Sequence, residues 1–193
     1  MFHIPCIIFA GGKSSRMGED KALLPFANFK TLTHYQYNKL SKIFNNVYIS
    51  CKDKSKFDFD ANFIEDDATL DVFAPTVGFL TAFKYLNTDT FFALSVDTPF
   101  VTNKEITQMI NADRVNYDAT IAKTDEGIQP LCGIYHMSLL SSFEKMIKEN
   151  NHKLGFLLKN SQTKYVYFSQ TQPFLNLNHP DEYQEALNII SHY

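Results

Sequence analysis

Between positions 9 and 21 the chain reads Phe-Ala-Gly-Gly-Lys-Ser-Ser-Arg-Met-Gly-Glu-Asp-Lys, gathering glycines and cations immediately after an apolar run. Gly11 and Gly12 allow the backbone to turn tightly and bring its N–H groups close to a ligand, and successive N–H groups form a concavity that binds anions. Lys13, Arg16 and Lys21 add the positive charge that a triphosphate requires. The spacing fits neither the Gly-x-x-x-x-Gly-Lys-Ser/Thr loop nor the dinucleotide Gly-x-Gly-x-x-Gly pattern. The bland alternative is a glycine turn carrying solvated basic residues.

A second chemical signal is Phe91-Phe92-Ala93-Leu94-Ser95-Val96-Asp97-Thr98-Pro99, where an acidic residue stands at the end of an apolar strand. Ligands of open α/β sheets collect outside the carboxyl ends of strands. A hard oxygen at that edge suits Mg2+, which takes one or two carboxylates together with substrate phosphates. The competing reading is that Asp97 only begins a turn fixed by Pro99.

These residues need a frame, and apolar periodicity supplies one. Ile4 to Phe9, Val47 to Cys51, Asn62 to Glu65 and Phe91 to Val96 read as strands, while residues 31 to 44 and Val77 to Leu86 have helical character. Thr102 and Glu105 have capping-box spacing at the start of a further helix. Ala119 to Lys123 and Ile128 to Tyr135 read as an antiparallel pair around Asp125-Glu126-Gly127. Ser138 to Lys148 follows as an amphipathic helix, Tyr165 to Phe168 as a short strand, and Pro180 to Ile190 as a closing helix with proline at its first position. Helices alternating with hydrophobic strands predict a three-layer α/β/α, Rossmann-like fold with a largely parallel sheet. With 193 residues and no linker or repeat, one catalytic domain spanning 1–193 is expected.

Net charge of −3 gives no general attraction to nucleic acid or to an acidic membrane, so phosphate chemistry must rest on a local basic cluster. The apolar run at the N-terminus is too short for a membrane helix and has no basic segment before it, so a cytoplasmic protein is expected. Cys6, Cys51 and Cys132 are widely spaced within apolar stretches and read as reduced core thiols. His3, His34, His136, His152 and His192 show no spacing that suggests catalysis or zinc binding.

The segment Ala10-Gly11-Gly12-x-Ser14-x-Arg16-Met17-Gly18-x-Asp20-Lys21 resembles the signature loop of the molybdenum cofactor guanylyltransferases, and the outline match runs close to full length. The resemblance implies that Arg16 and Lys21 neutralise the triphosphate and act in catalysis with Asp97, the Mg2+ aspartate of a matching Asp-Thr-Pro segment. It places Phe9, Ala10, Gly11, Gly12, Lys21, Asp66, Gly78 and Asp97 at the nucleotide. Ala74-Pro75-Thr76-Val77-Gly78 occupies the place of a Gly-Pro-Leu-x-Gly loop, of which the proline and the last glycine are kept. Asp66 reads equally as part of an exposed acidic loop beside Asp67. Ser50-Cys51-Lys52 lacks the asparagine often found there in the family.

Near the C-terminus, Asn176-Leu177-Asn178-His179-Pro180-Asp181-Glu182 resembles the family's Asn-x-Asn-Thr-Pro-x-Glu, with His179 in place of threonine. On a strand Asn176 and Asn178 share one face and could address a pterin or a metal; alternatively Asn178 lies near the cap of the following helix. Gln129-Pro130 could also line the pterin side.

The implied reaction is attack of the terminal phosphate of molybdenum-loaded molybdopterin on the α-phosphate of Mg-GTP, which yields the guanine dinucleotide cofactor and pyrophosphate. The implied partners are GTP, that pterin, and proteins that deliver or receive the cofactor in transient contacts. A cytidylyltransferase of the same cofactor, a sugar-phosphate nucleotidyltransferase, and a non-catalytic GTP-binding module are the alternatives. The cytosine-specific relatives typically carry Ala-Ala-Gly where this chain has Ala10-Gly11-Gly12.

Overall fold

A computed structural model describes residues 1–12, 17–66 and 74–191. Lys13 to Arg16, residues 67–73 and the last two positions lie outside them, so the structure does not place Arg16. The strands are β1 Cys6–Phe9, β2 Val47–Cys51, β3 Asn62–Glu65, β4 Thr90–Ser95, β5 Ala119–Thr124, β6 Gly127–His136 and β7 Thr163–Tyr167. They form one seven-stranded sheet in the order β3-β2-β1-β4-β6-β5-β7. β6 runs antiparallel to both neighbours, whereas the remaining pairings are parallel.

The helices are α1 Leu32–Leu40, α2 Pro75–Leu86, α3 Asn103–Ala112, α4 Leu140–Lys148, α5 Leu154–Lys159 and α6 Pro180–Ile190. Successive side chains of a strand point to opposite faces, and β1 shows the consequence. Cys6 and Ile8 enter a core with Leu32 and Leu40 of α1, Ile106 and Met109 of α3 and Ala186 of α6. Ile7 and Phe9 enter the opposite core with Phe79 and Phe83 of α2, Phe143 of α4 and Leu154 of α5. Coverage on both faces is why these strands read as continuous apolar runs rather than alternating ones.

Phe79 is the centre of the second core. Its ring stacks on Phe9 at 4.6 Å and on Phe143 at 4.8 Å, tying β1 to α2 and α4. Gly133 of β6 faces Ile121 beside a break in the β5 register, where a Cβ would come within 2.3 Å of the Thr120 carbonyl oxygen. That contact with backbone explains a glycine in the interior of a central strand.

The predicted capping box is present: the Thr102 side chain accepts from the helix and Glu105 accepts from the Thr102 N–H. The three cysteines are buried and unpaired with one another. Burial pushes the Cys6 and Cys132 thiols upward and that of Cys51 to about 12, which leaves them inert. The bounds of β1, β4, β7, α1 and α2 differ from the sequence reading by one to four residues, and two segments differ in kind. α5 has no sequence forecast, because a six-residue helix containing Gly155 carries less than two turns of periodicity. Residues 175 to 178 form no strand; they lead irregularly into α6, with the Asn178 N–H donating to the Asn176 carbonyl at 3.1 Å.

Candidate active site

The chain leaves β1, builds β2 and β3 outward on one side, and returns to place β4 on the other side of β1. Such a reversal opens a crevice at the carboxyl ends of the two central strands. Here Phe9 and Ser95 stand side by side as the last paired residues of β1 and β4. The Val96 N–H donates to the Phe9 carbonyl at 3.1 Å, and the Ala10 N–H donates to the Ser50 carbonyl at 2.9 Å, so both chain segments leave the sheet together.

Neither Gly11 nor Gly12 has a positive φ. Their value lies in the missing side chains. A Cβ on Gly12 meets no atom of the described residues within 4 Å, whereas one on Gly11 would lie 3.6 Å from Asp66 Oδ2 and narrow the cleft there. Gly18 is the residue of this loop with φ at +74°, a conformation that favours glycine. Asp20 then accepts from the Ala22 N–H at 3.0 Å and pairs with Lys56 at 2.7 Å, fixing the short helical turn Lys21–Leu23.

That turn aims Lys21 at β4. Its Nζ lies 2.5 Å from Asp97 Oδ2 and donates to Asn178 Oδ1 at 3.0 Å. Asp97 Oδ1 accepts from the Ser95 hydroxyl at 2.5 Å, and the Asp97 carbonyl accepts from the Leu177 N–H at 3.0 Å. Three residues distant in sequence, Lys21, Asp97 and Asn178, thus meet at one point. The Lys21 and Asp97 side chains are each only 13% exposed, so the charges hold each other in a partly desolvated place.

Asp66 follows β3 directly and lines the same cleft as Gly11, Gly12, Lys21, Gly78 and Asp97. Burial pushes its carboxyl up to about 6, partly opposed by the Ser50 hydroxyl at 3.4 Å and by Lys52. Because folding raises this pKa above the 3.8 of a free carboxyl, the group's contribution to stability is present at acid pH and lost as the pH rises through about 6. Lys52, also on the cleft wall, escaped the sequence reading, which sought an asparagine in that segment.

The segment from Ala74 to Gly78 is the start of a helix rather than a loop: Pro75 occupies the first turn of α2, where its missing N–H costs nothing. Gly78 is fully packed, and a Cβ there would lie 2.8 Å from Ser50 Oγ and 3.0 Å from Phe9 Cε1. It therefore lets α2 approach the ends of β1 and β2. Phe9 borders the cleft, but its ring is largely occupied by stacking on Phe79.

The first cleft, about 180 Å³, adjoins a second of about 450 Å³; both are bordered by Pro75, Ser95, Asp97 and Leu131. Asn176 and Asn178 line the second, together with Gln129, Pro130 and His152. Asn176 donates to Gln129 Oε1 at 3.4 Å. The two asparagines are not on a strand, yet both line this cavity. The N-cap of α6 is His179, while the Asn178 and His179 N–H groups both donate to Glu182. His152 had no forecast role; its Nδ1 lies 2.6 Å from Thr76 Oγ1, which places the ring in the wall of this second cavity.

A switch-point crevice that brings a glycine loop, a lysine and a strand-end aspartate together beside an adjoining second cavity defines a nucleotidyltransferase. The chain belongs to the family of the MobA-like NTP transferase domain, which matches residues 6–164, and within it to the molybdenum cofactor guanylyltransferases. It is 41% identical over 180 residues to the molybdenum cofactor guanylyltransferase of Campylobacter jejuni subsp. doylei, covering 93% of each chain. Identity to that of Helicobacter pylori strain G27 is 32% over 193 residues, covering 97% of this chain and 94% of the other. The crystal structure of molybdopterin-guanine dinucleotide biosynthesis protein A from Archaeoglobus fulgidus superimposes with a TM-score of 0.84 over 98% of this chain and 100% of that one. At 21% identity, that likeness bears on the fold alone.

Proposed function

We propose that this protein, acting as one nucleotidyltransferase domain, transfers GMP from GTP to molybdenum-loaded molybdopterin and releases pyrophosphate. The observation that carries the reading is the position of Asp97: it borders both cavities, with Lys21 2.5 Å away. On this reading the cleft beside Gly11, Gly12 and Asp66 takes the nucleotide, and the cavity beside Asn176 and Asn178 takes the pterin. A phosphate oxygen of the acceptor attacks the α-phosphorus, and the bond to the β-phosphate breaks. Charge neutralisation and in-line placement supply most of the acceleration, and no side-chain nucleophile is needed.

Mg2+ suits the donor set. Asp97 Oδ2 and Asn178 Oδ1 already converge on a cation, the Lys21 ammonium, and hard oxygens of this kind together with phosphates are what the ion favours. Asp97 would hold it, and when bound it supplies charge neutralisation at the transferring phosphate. Lys21, on the wall of the same cleft, would pair with the phosphates beside it. Arg16, which lies outside the described residues, shares that task on the strength of the family resemblance. No helix among the described residues is long and apolar enough to cross a membrane, and a cytoplasmic site of action fits a substrate such as GTP. Transient docking with proteins that deliver or receive the cofactor follows from a product handed on to other enzymes.

Guanine offers a ring N–H and an amino group side by side, a match for the two oxygens of an ionised carboxylate. Cytosine presents an acceptor next to its amino group, which a carboxylate repels. Asp66 is the carboxylate available for this pairing, and it is ionised well above pH 6. A bidentate pair discriminates by ~1–3 kcal/mol, so at pH 8 the kcat/KM for GTP should exceed that for CTP or ATP by roughly 10- to 100-fold. Competition among the three nucleotides at equal concentration measures this ratio, and equal values for GTP and CTP would refute guanine selection.

A further inference from the structure

One face of α1 carries buried polar side chains where a core helix would ordinarily present apolar ones. Thr33 and Gln36 are fully buried, three residues apart, and Lys39 follows three further on. Each grips backbone carbonyls in the two segments that supply the reacting charges. The Thr33 hydroxyl donates to the Ala22 carbonyl at 2.7 Å, in the turn that bears Lys21. Gln36 Nε2 donates to the Thr98 carbonyl at 3.0 Å, and its two protons are shared with the carbonyls of Val96 at 3.3 Å and Ser95 at 3.4 Å. Lys39 Nζ donates to the carbonyls of Pro99 at 2.6 Å and Val101 at 3.0 Å. Asp97 lies within the stretch so held.

Gln36 is a costly way to fill that space. Its Oε1 is buried with no hydrogen-bond partner among the described residues, an unsatisfied acceptor that accompanies the grip of Nε2 on three carbonyls. Reversing the amide would not help, since three carbonyl oxygens would then face an oxygen. A buried amide that leaves its own oxygen unpaired while tying down three carbonyls around Asp97 fixes the position of that loop.

We infer that α1 is a positioning helix, in which Thr33 and Gln36 set the separation of Lys21 and Asp97 by holding the two backbone segments against a single rigid element. Gln36 and Thr33 are positioning residues: neither touches the reacting charges. The inference rests on the proposed role of Asp97. A misplacement of about 1 Å in a reacting group can cost about 10²-fold in rate, and a strand-end loop freed from its carbonyl grips has that latitude.

The test uses the full-length protein with Gln36→Met, which keeps the volume and removes both the donor and the unsatisfied acceptor. Removal of the orphaned Oε1 partly offsets the donor lost to the Val96 and Thr98 carbonyls, so the unfolding midpoint should fall by no more than about 10 °C and the variant should stay folded. Turnover should fall roughly 10- to 100-fold while KM for GTP changes less than about threefold. Mn2+ affinity in the presence of GTP, read from the loss of the free-ion EPR signal, should weaken at least about fivefold. A folded Gln36→Met with parental turnover and parental Mn2+ affinity would overturn the inference. Thr33→Val, which removes only the grip on the Lys21 turn, should lower turnover without weakening Mn2+ binding; if Gln36→Met fails to fold, parental turnover in a folded Thr33→Val overturns the inference instead. Asp97→Asn, measured alongside, separates the two levels. Parental turnover and Mn2+ affinity in Asp97→Asn would sink the reading of the site itself, whereas loss of both there with no change in Gln36→Met or Thr33→Val would sink only the positioning role.

Discussion

Asp97→Ala should lower turnover by at least about 10³-fold and leave a folded protein, since each ~1.4 kcal/mol of lost transition-state stabilisation is a factor of ten and a metal contributes several. The structure explains why no neighbour substitutes. Asn178 presents a neutral oxygen, Ser95 a hydroxyl already committed to Asp97, and Asp66 belongs to the part of the cleft beside Gly11. Among the described residues no cluster of three or more acidic, cysteine or histidine side chains could hold a metal. The substitution also strips Lys21 of its ion-pair partner. Breaking a buried pair commonly costs ~3–5 kcal/mol, but Lys21 lies on a cleft wall and its flexible stem can carry the ammonium to water, so the stability loss should be smaller. Pyrophosphate release and a thermal melt check both statements, and unchanged release at ordinary Mg2+ concentration would contradict the assignment.

Lys21→Ala should reduce kcat by about 10²- to 10³-fold while KM for GTP rises less than about tenfold. The reason is that charge around the α-phosphate grows as the bond breaks, and a donor placed for that charge stabilises the transition state more than bound GTP. In the structure the ammonium is held between Asp97 and Asn178, each of which borders the second cavity. On the proposed reading, that is where an acceptor phosphate and a nucleotide phosphate would meet. Initial-rate kinetics with both substrates varied give the separation of kcat from KM. A raised KM with parental kcat would reassign Lys21 to ground-state binding.

The strands were legible because burial on both faces writes them as short apolar runs. β2 and β3 begin and end where the sequence reading placed them, and the proline start of α6 coincides as well. The candidate residues Asp66 and Asp97 stand just past the ends of β3 and β4, where the sequence reading placed them, and both line the cleft. What sequence could not show was long-range partnership. Gln36 looks like any polar residue on a helix, and only the fold brings it to carbonyls about sixty positions away. Gly11 and Gly12 were read as places where a missing Cβ lets the backbone approach a ligand; both line the cleft, and neither has a positive φ. Lys52 and His152 lacked any motif, and their places in the cavity walls follow from topology alone.

The central claim is that this site joins GMP to the molybdenum-loaded pterin. The most direct test supplies equal GTP, CTP and ATP with that pterin and Mg2+, and identifies the dinucleotide formed by its mass. The account predicts the guanine dinucleotide, with one pyrophosphate released for each molecule made and neither formed by Asp97→Ala. A cytosine or adenine dinucleotide as the main product, or GTP bound without any pyrophosphate released, would contradict it.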